Sequence, residues 1–182
     1  MMRAIVLGRF QPFHNGHAYL VAQAAAAFPD APVMVAVGSA QSEWEPNNPW
    51  SAADRTAMIL AWAKSTGNDV EVCAIEDIND PPNWVAHARK HHGEGTLVTS
   101  DEATATLYND ANFPVHTIEL SEREKYEGWR VRQTAKMLST VYDDDAVREV
   151  LGSSIPTAVI EWLITNDALY RLSTFETGVH AG

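Results

Sequence analysis

Five short apolar runs, each too short to form a helix and each followed by a longer stretch of helical composition, constrain this chain more than any other feature. They are residues 3–8 (RAIVLG), 32–38 (PVMVAVG), 70–75, 96–99 (TLVT) and 115–120 (VHTIEL). Runs of this length, rich in valine and bounded by turn residues, read as buried strands. Between them lie residues 16–28, alanine-rich and closed by Pro29 and Asp30, then SAADRTAMILAWAK from Ser51, stopping near Gly67. NWVAHARKHH from Asn83 to Gly93 and a helix around residues 103–108 follow. Strands alternating with helices of this length predict βαβ crossovers, hence an α/β fold with a five-stranded parallel sheet and helices on both faces. After Arg130 the pattern is only helical, a C-terminal helical cap. Residues 1–182 read as a single domain, with an α/β core over 1–125 and a helical part over 126–182.

Local signals sharpen the boundaries. Ser51 with Asp54 three residues on forms an acidic variant of a capping box, and Met58, Leu60 and Trp62 of the following helix are expected in the core. Asn83 is placed to cap the next helix, and Pro156 stands at a tolerated first-turn position of the helix PTAVIEWLI. Residues 39–50 (SAQSEWEPNNPW) form the longest expected loop.

Composition narrows the partners. With 13 Lys and Arg against 24 Asp and Glu, the formal charge of -11 repels polymeric nucleic acid and anionic membrane surfaces. A single cysteine, Cys73, rules out an intramolecular disulfide and favours a reducing compartment, the cytoplasm. No apolar run approaches the ~18 residues needed to cross a bilayer, and Met-Met-Arg followed by five apolar or glycine residues lacks a full signal core.

In an open parallel sheet ligands bind beyond the carboxyl ends of the strands, so the segment after the first strand is the place to look. It reads Gly8-Arg9-Phe10-Gln11-Pro12-Phe13-His14-Asn15-Gly16-His17. Two histidines flank a glycine where the next helix begins, and a helix N-terminus offers free N–H donors and partial positive charge to an anion. Gly16 without a Cβ would let a phosphate or base approach the backbone. His14 and His17 can point at one polyphosphate, and Arg9 adds a fixed charge.

This segment resembles the first-strand motif of the HxGH nucleotidylyltransferases, and GRFQPFHNGH is similar to the form it takes in archaeal-type nicotinamide-nucleotide adenylyltransferases. GSAQ at residues 38–41 resembles the turn after that family's second strand, and NPWSAADR at residues 48–55 its NPFTAGER segment. EDI at 76–78, NWVAH at 83–87 and YEGWRVR at 126–132, beside a YSGTEVR-like motif, follow in order and spacing. The resemblance covers most of the chain. It implies a Rossmann-like nucleotidylyltransferase that transfers AMP from ATP to nicotinamide mononucleotide, giving NAD and pyrophosphate, with Mg²⁺ bound through the ATP phosphates. It implies homo-oligomers as well. Catalytic roles fall on His14, His17, Arg9 and Arg132; ATP would meet Gly8, Arg9, Phe10, His14, Gly16, His17, Gly128 and Arg132. Nicotinamide mononucleotide would meet Phe13, Gly38, Ser39, Asp77, Ile78 and Trp84, with no metal-ligating side chain.

Elementary chemistry agrees with such a reaction. A phosphate monoester is already an anion at neutral pH, so the attack needs no general base, only alignment and fixed donors for charge growing on the phosphoryl oxygens. An indole face suits a flat pyridinium, although Trp84 is equally suited to core packing. Asp77 could instead cap its loop.

The chain departs from the motif at Glu127 and Trp129, where the family has serine and threonine, and at Trp44 and Asn47 in the long loop. Two alternatives stay open. The histidines specify transfer and not the acceptor, so pantetheine phosphate, FMN or glycerol phosphate could take the place of nicotinamide mononucleotide. Glu127 and Trp129 motivate a nucleotide-binding protein without turnover. His87 and His91, one helical turn apart, lack a third zinc ligand, and Asp143 to Asp145 are read as first-turn charges.

Overall fold

The computed structural model describes residues 3–121 and 126–175. Met1 and Met2, part of the N-terminus read for a signal core, and the boundary at residue 125 lie outside the described residues.

Five strands, β1 (Ala4–Gly8), β2 (Val33–Val37), β3 (Val70–Ala74), β4 (Thr96–Thr99) and β5 (Val115–Thr117), form one sheet in the order β3-β2-β1-β4-β5. Every pairing is parallel. Helices α1 (Asn15–Ala27), α2 (Ala52–Thr66), α3 (Pro81–His92) and α4 (Glu102–Asp110) connect them in turn. A cap of α5 (Gly128–Leu138), α6 (Asp144–Leu151), α7 (Thr157–Thr165) and α8 (Tyr170–Ser173) follows. The strand order reverses between β1 and β4, which opens a crevice at their carboxyl ends.

Alternation along each strand sorts the core into two layers. Val6 of β1, Val33, Val35 and Val37 of β2 and Val98 of β4 pack with Val21 of α1, Ile59 of α2, Val131 of α5, Leu151 of α6 and Leu163 of α7. Their sheet neighbours Ile5, Met34 and Leu97 face the other way, onto Val85 of α3 and Tyr108 of α4. Burying each large apolar side chain contributes roughly 2 kcal/mol, so both faces of the sheet are covered and the strands read as unbroken apolar runs. This is the α/β class expected from the sequence.

Several local expectations shift by a residue or two. The capping box at the start of α2 forms, with the Asp54 N–H donating to Ser51 Oγ at 3.1 Å and the Ser51 N–H to Asp54 Oδ2 at 3.1 Å. Leu60, expected in the core, is 46% exposed, while Ile59 is fully buried. The buried stripe of α2 runs through Arg55, Met58, Ile59, Trp62 and Ala63, and Leu60 faces away from it. Helix α3 opens at Pro81, two residues before Asn83, because proline needs no partner for a first-turn N–H. Asn83 instead donates to Asp80 Oδ2 from within the first turn at 2.7 Å. Strand β5 ends at Thr117, although the Ile118 N–H still donates to the Thr99 carbonyl. Pro156 is the cap residue of α7, not its first helical residue, and the short α8 was not foreseen. Asp143 caps α6 by accepting from the Asp145 and Ala146 N–H groups.

The corrected face of α2 gives a direct test. Ile59→Ala should cost about 3 kcal/mol in urea unfolding, and Leu60→Gln no more than about 0.5 kcal/mol. Equal losses would place both side chains in the core and contradict the helix orientation.

Candidate active site

Helix α1 is capped by the two histidines themselves. His14 is the N-cap in extended conformation; the His17 N–H donates to His14 Nδ1 at 3.4 Å, and the His14 N–H donates to His17 Nδ1 at 3.3 Å. The rings stack at 3.6 Å between centroids, 17° from parallel. A three-residue separation is therefore the N-cap to N3 spacing of a capping box, with imidazole in place of hydroxyl and carboxylate. Because each Nδ1 accepts a backbone hydrogen bond, the neutral ring carries its proton on Nε2.

Burial keeps the rings neutral. His14 is 4% exposed, and desolvation, with the nearby Arg132 guanidinium, lowers its pKa to about 4. Burial first, then His14, holds His17 well below the ordinary imidazole value. Phe10 meets His17 edge-on at 4.8 Å, and Phe13, fully buried, lies 5.7 Å from it on the way to Trp62. The pair presents two uncharged N–H donors and not two cations.

A cavity of about 290 Å³ opens over this pair. Arg9, Phe10, Gln11, His14, Gly16 and His17 line it from the β1–α1 loop, Ser100 from the end of β4, and Tyr126, Glu127, Gly128 and Arg132 from the start of the cap. It occupies the crevice where the strand order reverses. Arg9 is exposed. Arg132 donates to the Gln11 carbonyl at 2.9 Å, and burial followed by Arg9 brings its pKa down to about 10, still a full cation at neutral pH.

The glycines serve the protein's own side chains. A Cβ on Gly16 would stand 2.9 Å from the Tyr126 Cβ and 3.1 Å from His14 Cε1, so its bareness admits Tyr126 beside the stacked rings. Gly16 also lines the cavity, so the same bare position borders the space expected for a ligand. A Cβ on Gly8 would meet the Phe10 ring at 3.0 Å, and one on Gly128 the Arg132 guanidinium at 3.1 Å. Glu127 lines the cavity, yet its Oε2 accepts from Trp129 Nε1 at 2.7 Å and from Arg130 Nε at 3.1 Å. The two departures from the family motif thus satisfy each other.

A second cavity, of about 410 Å³, is lined by Leu7, Asp77, Asn79, Asp80, Pro81, Trp84, Thr104 and Leu107. Gln41 fixes Asp77 from both sides, donating to its carboxylate at 3.2 Å and accepting its N–H at 3.0 Å. Trp84 is half-buried and meets Tyr108 edge-on at 6.2 Å between ring centroids. Of the residues expected around an acceptor, Asp77 and Trp84 line this cavity. Phe13, Gly38, Ser39 and Ile78 do not. Phe13 supports His17 from the core, and Ile78 points partly to solvent.

Two buried polar residues escaped the sequence reading. Gln11 is 3% exposed and exchanges both amide groups with the Trp50 backbone, at 2.9 and 3.1 Å. Arg55 is fully buried. The only signal for either was a polar residue within a matching motif, and motif membership does not distinguish a ligand contact from a backbone brace.

The cytidylyltransferase-like family model matches residues 5–151. The nicotinamide-nucleotide adenylyltransferase of Methanosphaerula palustris is 32% identical over 173 residues, covering 94% of this chain and 96% of that protein. That of Methanospirillum hungatei is 32% identical over 133 residues, 72% of this chain and 75% of its own. Among solved structures, a bifunctional NMN adenylyltransferase/ADP ribose pyrophosphatase from Francisella tularensis, complexed with AMP and a manganese ion, superposes with a TM-score of 0.66 at 17% identity. The match covers 94% of this chain and 52% of that one, so the present chain spans about half of the bifunctional protein.

The buried imidazole gives acid lability a defined origin. The folded-state pKa of His14, about 4, lies below the ordinary 6.5, so the unfolded chain binds the extra proton first and stability falls as pH drops from 6.5 toward 4. The loss is about 2 kcal/mol by pH 5. His14→Asn keeps an N-cap without a titrating ring, so its thermal midpoint should fall less than that of the wild type between pH 7.5 and pH 5. Parallel curves would exclude His14 as the source.

Proposed function

The chain belongs to the cytidylyltransferase-like family, and from that membership we propose its activity: it is a nicotinamide-nucleotide adenylyltransferase, moving AMP from ATP to nicotinamide mononucleotide with release of pyrophosphate. One observation carries the assignment of roles. Neutral Nε2–H donors of His14 and His17 and the guanidinium groups of Arg9 and Arg132 gather around one cavity at the crevice between β1 and β4, and the cavity lined by Asp77 and Trp84 touches the same strand end through Leu7.

The reaction follows from these parts. A phosphate oxygen of the acceptor attacks the α-phosphorus of ATP, a new P–O bond forms, and the bond to the β-phosphate oxygen breaks, leaving its electron pair on pyrophosphate. The acceptor oxygen is already anionic, so no side chain has to remove a proton. His14 and His17 donate through Nε2 to the phosphoryl oxygens as charge grows on them, and being neutral they do so without losing a proton to the pyrophosphate. Arg9 and Arg132 hold the departing end electrostatically. Trp84 stacks on the nicotinamide ring, and Asp77, fixed by Gln41, faces it. Among the described residues no cluster of three or more histidine, cysteine, aspartate or glutamate side chains could hold a metal ion. In this reading the divalent ion is Mg²⁺ and would be carried on the phosphates of the nucleotide substrate.

The chain works in this reading as one catalytic unit that self-associates. The exposed Trp129, Met137 and Tyr142 of the cap support the self-association. The reducing cytoplasm is the matching compartment, supported by the lone Cys73. Among the described residues no helix is long and apolar enough to cross a membrane.

The test is a coupled assay: protein, ATP, Mg²⁺ and nicotinamide mononucleotide, with NAD followed through a dehydrogenase. AMP transfer only to another acceptor, or tight ATP binding without turnover, would replace this function by one of the two alternatives. His17→Ala should lower kcat by ~100-fold or more with an unchanged circular dichroism spectrum; a loss below threefold would remove His17 from the mechanism. The acceptor cavity carries two carboxylates and no cation among its lining residues. The amide substrate should therefore exceed its deamidated acid in kcat/KM by ~10-fold or more, and Asp80→Asn should narrow that ratio. Equal use of both acceptors would show that the cavity lining does not read the amide.

A further inference from the structure

Arg55 on α2 is fully buried, and among the described residues every side-chain hydrogen bond it makes goes to a backbone carbonyl. Its NH1 donates to Arg9 O and to Gly38 O, both at 2.8 Å; NH2 donates to Ser39 O at 3.1 Å and Nε to Ser51 O at 3.1 Å. Burial and the neighbouring Arg9 lower its pKa to about 10, while Asp54 and Asp77 act on it from a distance in the opposite sense. A buried guanidinium without a carboxylate in contact is costly, so the fork must do something that packing alone does not.

The carbonyls it gathers come from three separate segments. Arg9 belongs to the loop that lines the polyphosphate cavity. Gly38 and Ser39 form the turn after β2, and two residues later Gln41 holds Asp77 in the acceptor cavity. Ser51 is the N-cap of α2. Left-handed backbone adjoins two of the gripped carbonyls: φ is 47° at Ser39 itself and 53° at Phe10, the residue after Arg9. Non-glycine residues stay there only where their surroundings over-determine them. The planar fork spans the gap between the β1 loop and the β2 turn, and its geometry fixes how far apart they stand.

We propose that Arg55 is a positioning residue for adenylyl transfer: it sets the β1 loop against the β2 turn, and thereby the nucleotide cavity against the acceptor cavity, without touching either substrate. The proposal rests on the two-substrate reading of these cavities. Each substrate is bound by its own half of the site, so loosening the brace leaves both bound but misaligned. A misplacement of about 1 Å between reacting groups costs on the order of 100-fold in rate.

The experiment measures kcat and both KM values for Arg55→Lys, which keeps the charge but not the fork, and for Arg55→Gln, which keeps a single amide donor. Rates are taken per folded molecule, with the folded fraction read from circular dichroism and the thermal midpoint. Arg55→Lys should lower kcat by ~100-fold while KM for ATP and for nicotinamide mononucleotide each stay within threefold; Arg55→Gln should behave likewise. A kcat within threefold of wild type in both variants overturns the proposal. So does collapse of the fold in both, because Arg55 would then hold the protein together and not the site. A parallel rise in both KM values at unchanged kcat overturns it as well. The wild-type rate in the same assay separates the two ideas: a silent wild type ends the adenylyl-transfer reading, whereas an active wild type with unaffected variants ends only the role of Arg55.

Discussion

The reciprocal bond between His14 and His17 is the constraint on which the rest of the site depends. It ends the loop after β1, starts α1, fixes which nitrogen of each ring carries the proton, and stacks the rings so that both Nε2 atoms are available for a ligand. A hydroxyl and a carboxylate could also cap the helix, but the carboxylate has no proton to donate and would repel a phosphate. The helix terminus and the chemistry are thus made of the same atoms. Phe10 and Phe13 pack against the His17 ring and hold it in place.

Much of this was legible in the chain, and the reasons are physical. Strands covered on both faces must be apolar throughout, so β1, β2 and β4 announce themselves as runs of valine, leucine and isoleucine. Helix faces are less legible. Leu60 and Ile59 are adjacent and equally apolar, and only tertiary packing decides which is buried. The histidines were visible as a pair at a helix start, but their protonation was not legible: burial, which a sequence does not display, keeps both rings neutral. Gly16 was legible as necessary, but not that Tyr126 would pack where its Cβ would stand. Arg55 was harder still. An arginine on a helix is usually solvated, and nothing local says that three loops will converge on this one.

Charge is distributed against the average. The chain carries a net -11, yet Arg9, Arg55 and Arg132 gather at the strand ends, close enough that Arg9 depresses the pKa of the other two. Like charges are held together at a cost to stability where an anionic nucleotide would relieve the repulsion. Glu127, seemingly out of place in such a cavity, is tied to Trp129 and Arg130 and adds little field of its own.

The cap does more than cover apolar surface. Trp50 donates its indole N–H to the Ala168 carbonyl while its backbone exchanges two bonds with Gln11; Arg171 reaches from α8 to Asp54 and the Pro49 carbonyl and stacks on Trp44. The loop nearest the amino terminus is in this way braced by residues close to the carboxyl terminus. During synthesis the sheet can form while the ribosome is still translating the cap, but the nucleotide cradle cannot be finished until α8 has emerged from the exit tunnel. A prematurely terminated chain would carry the histidines and still lack the braces that hold them in register.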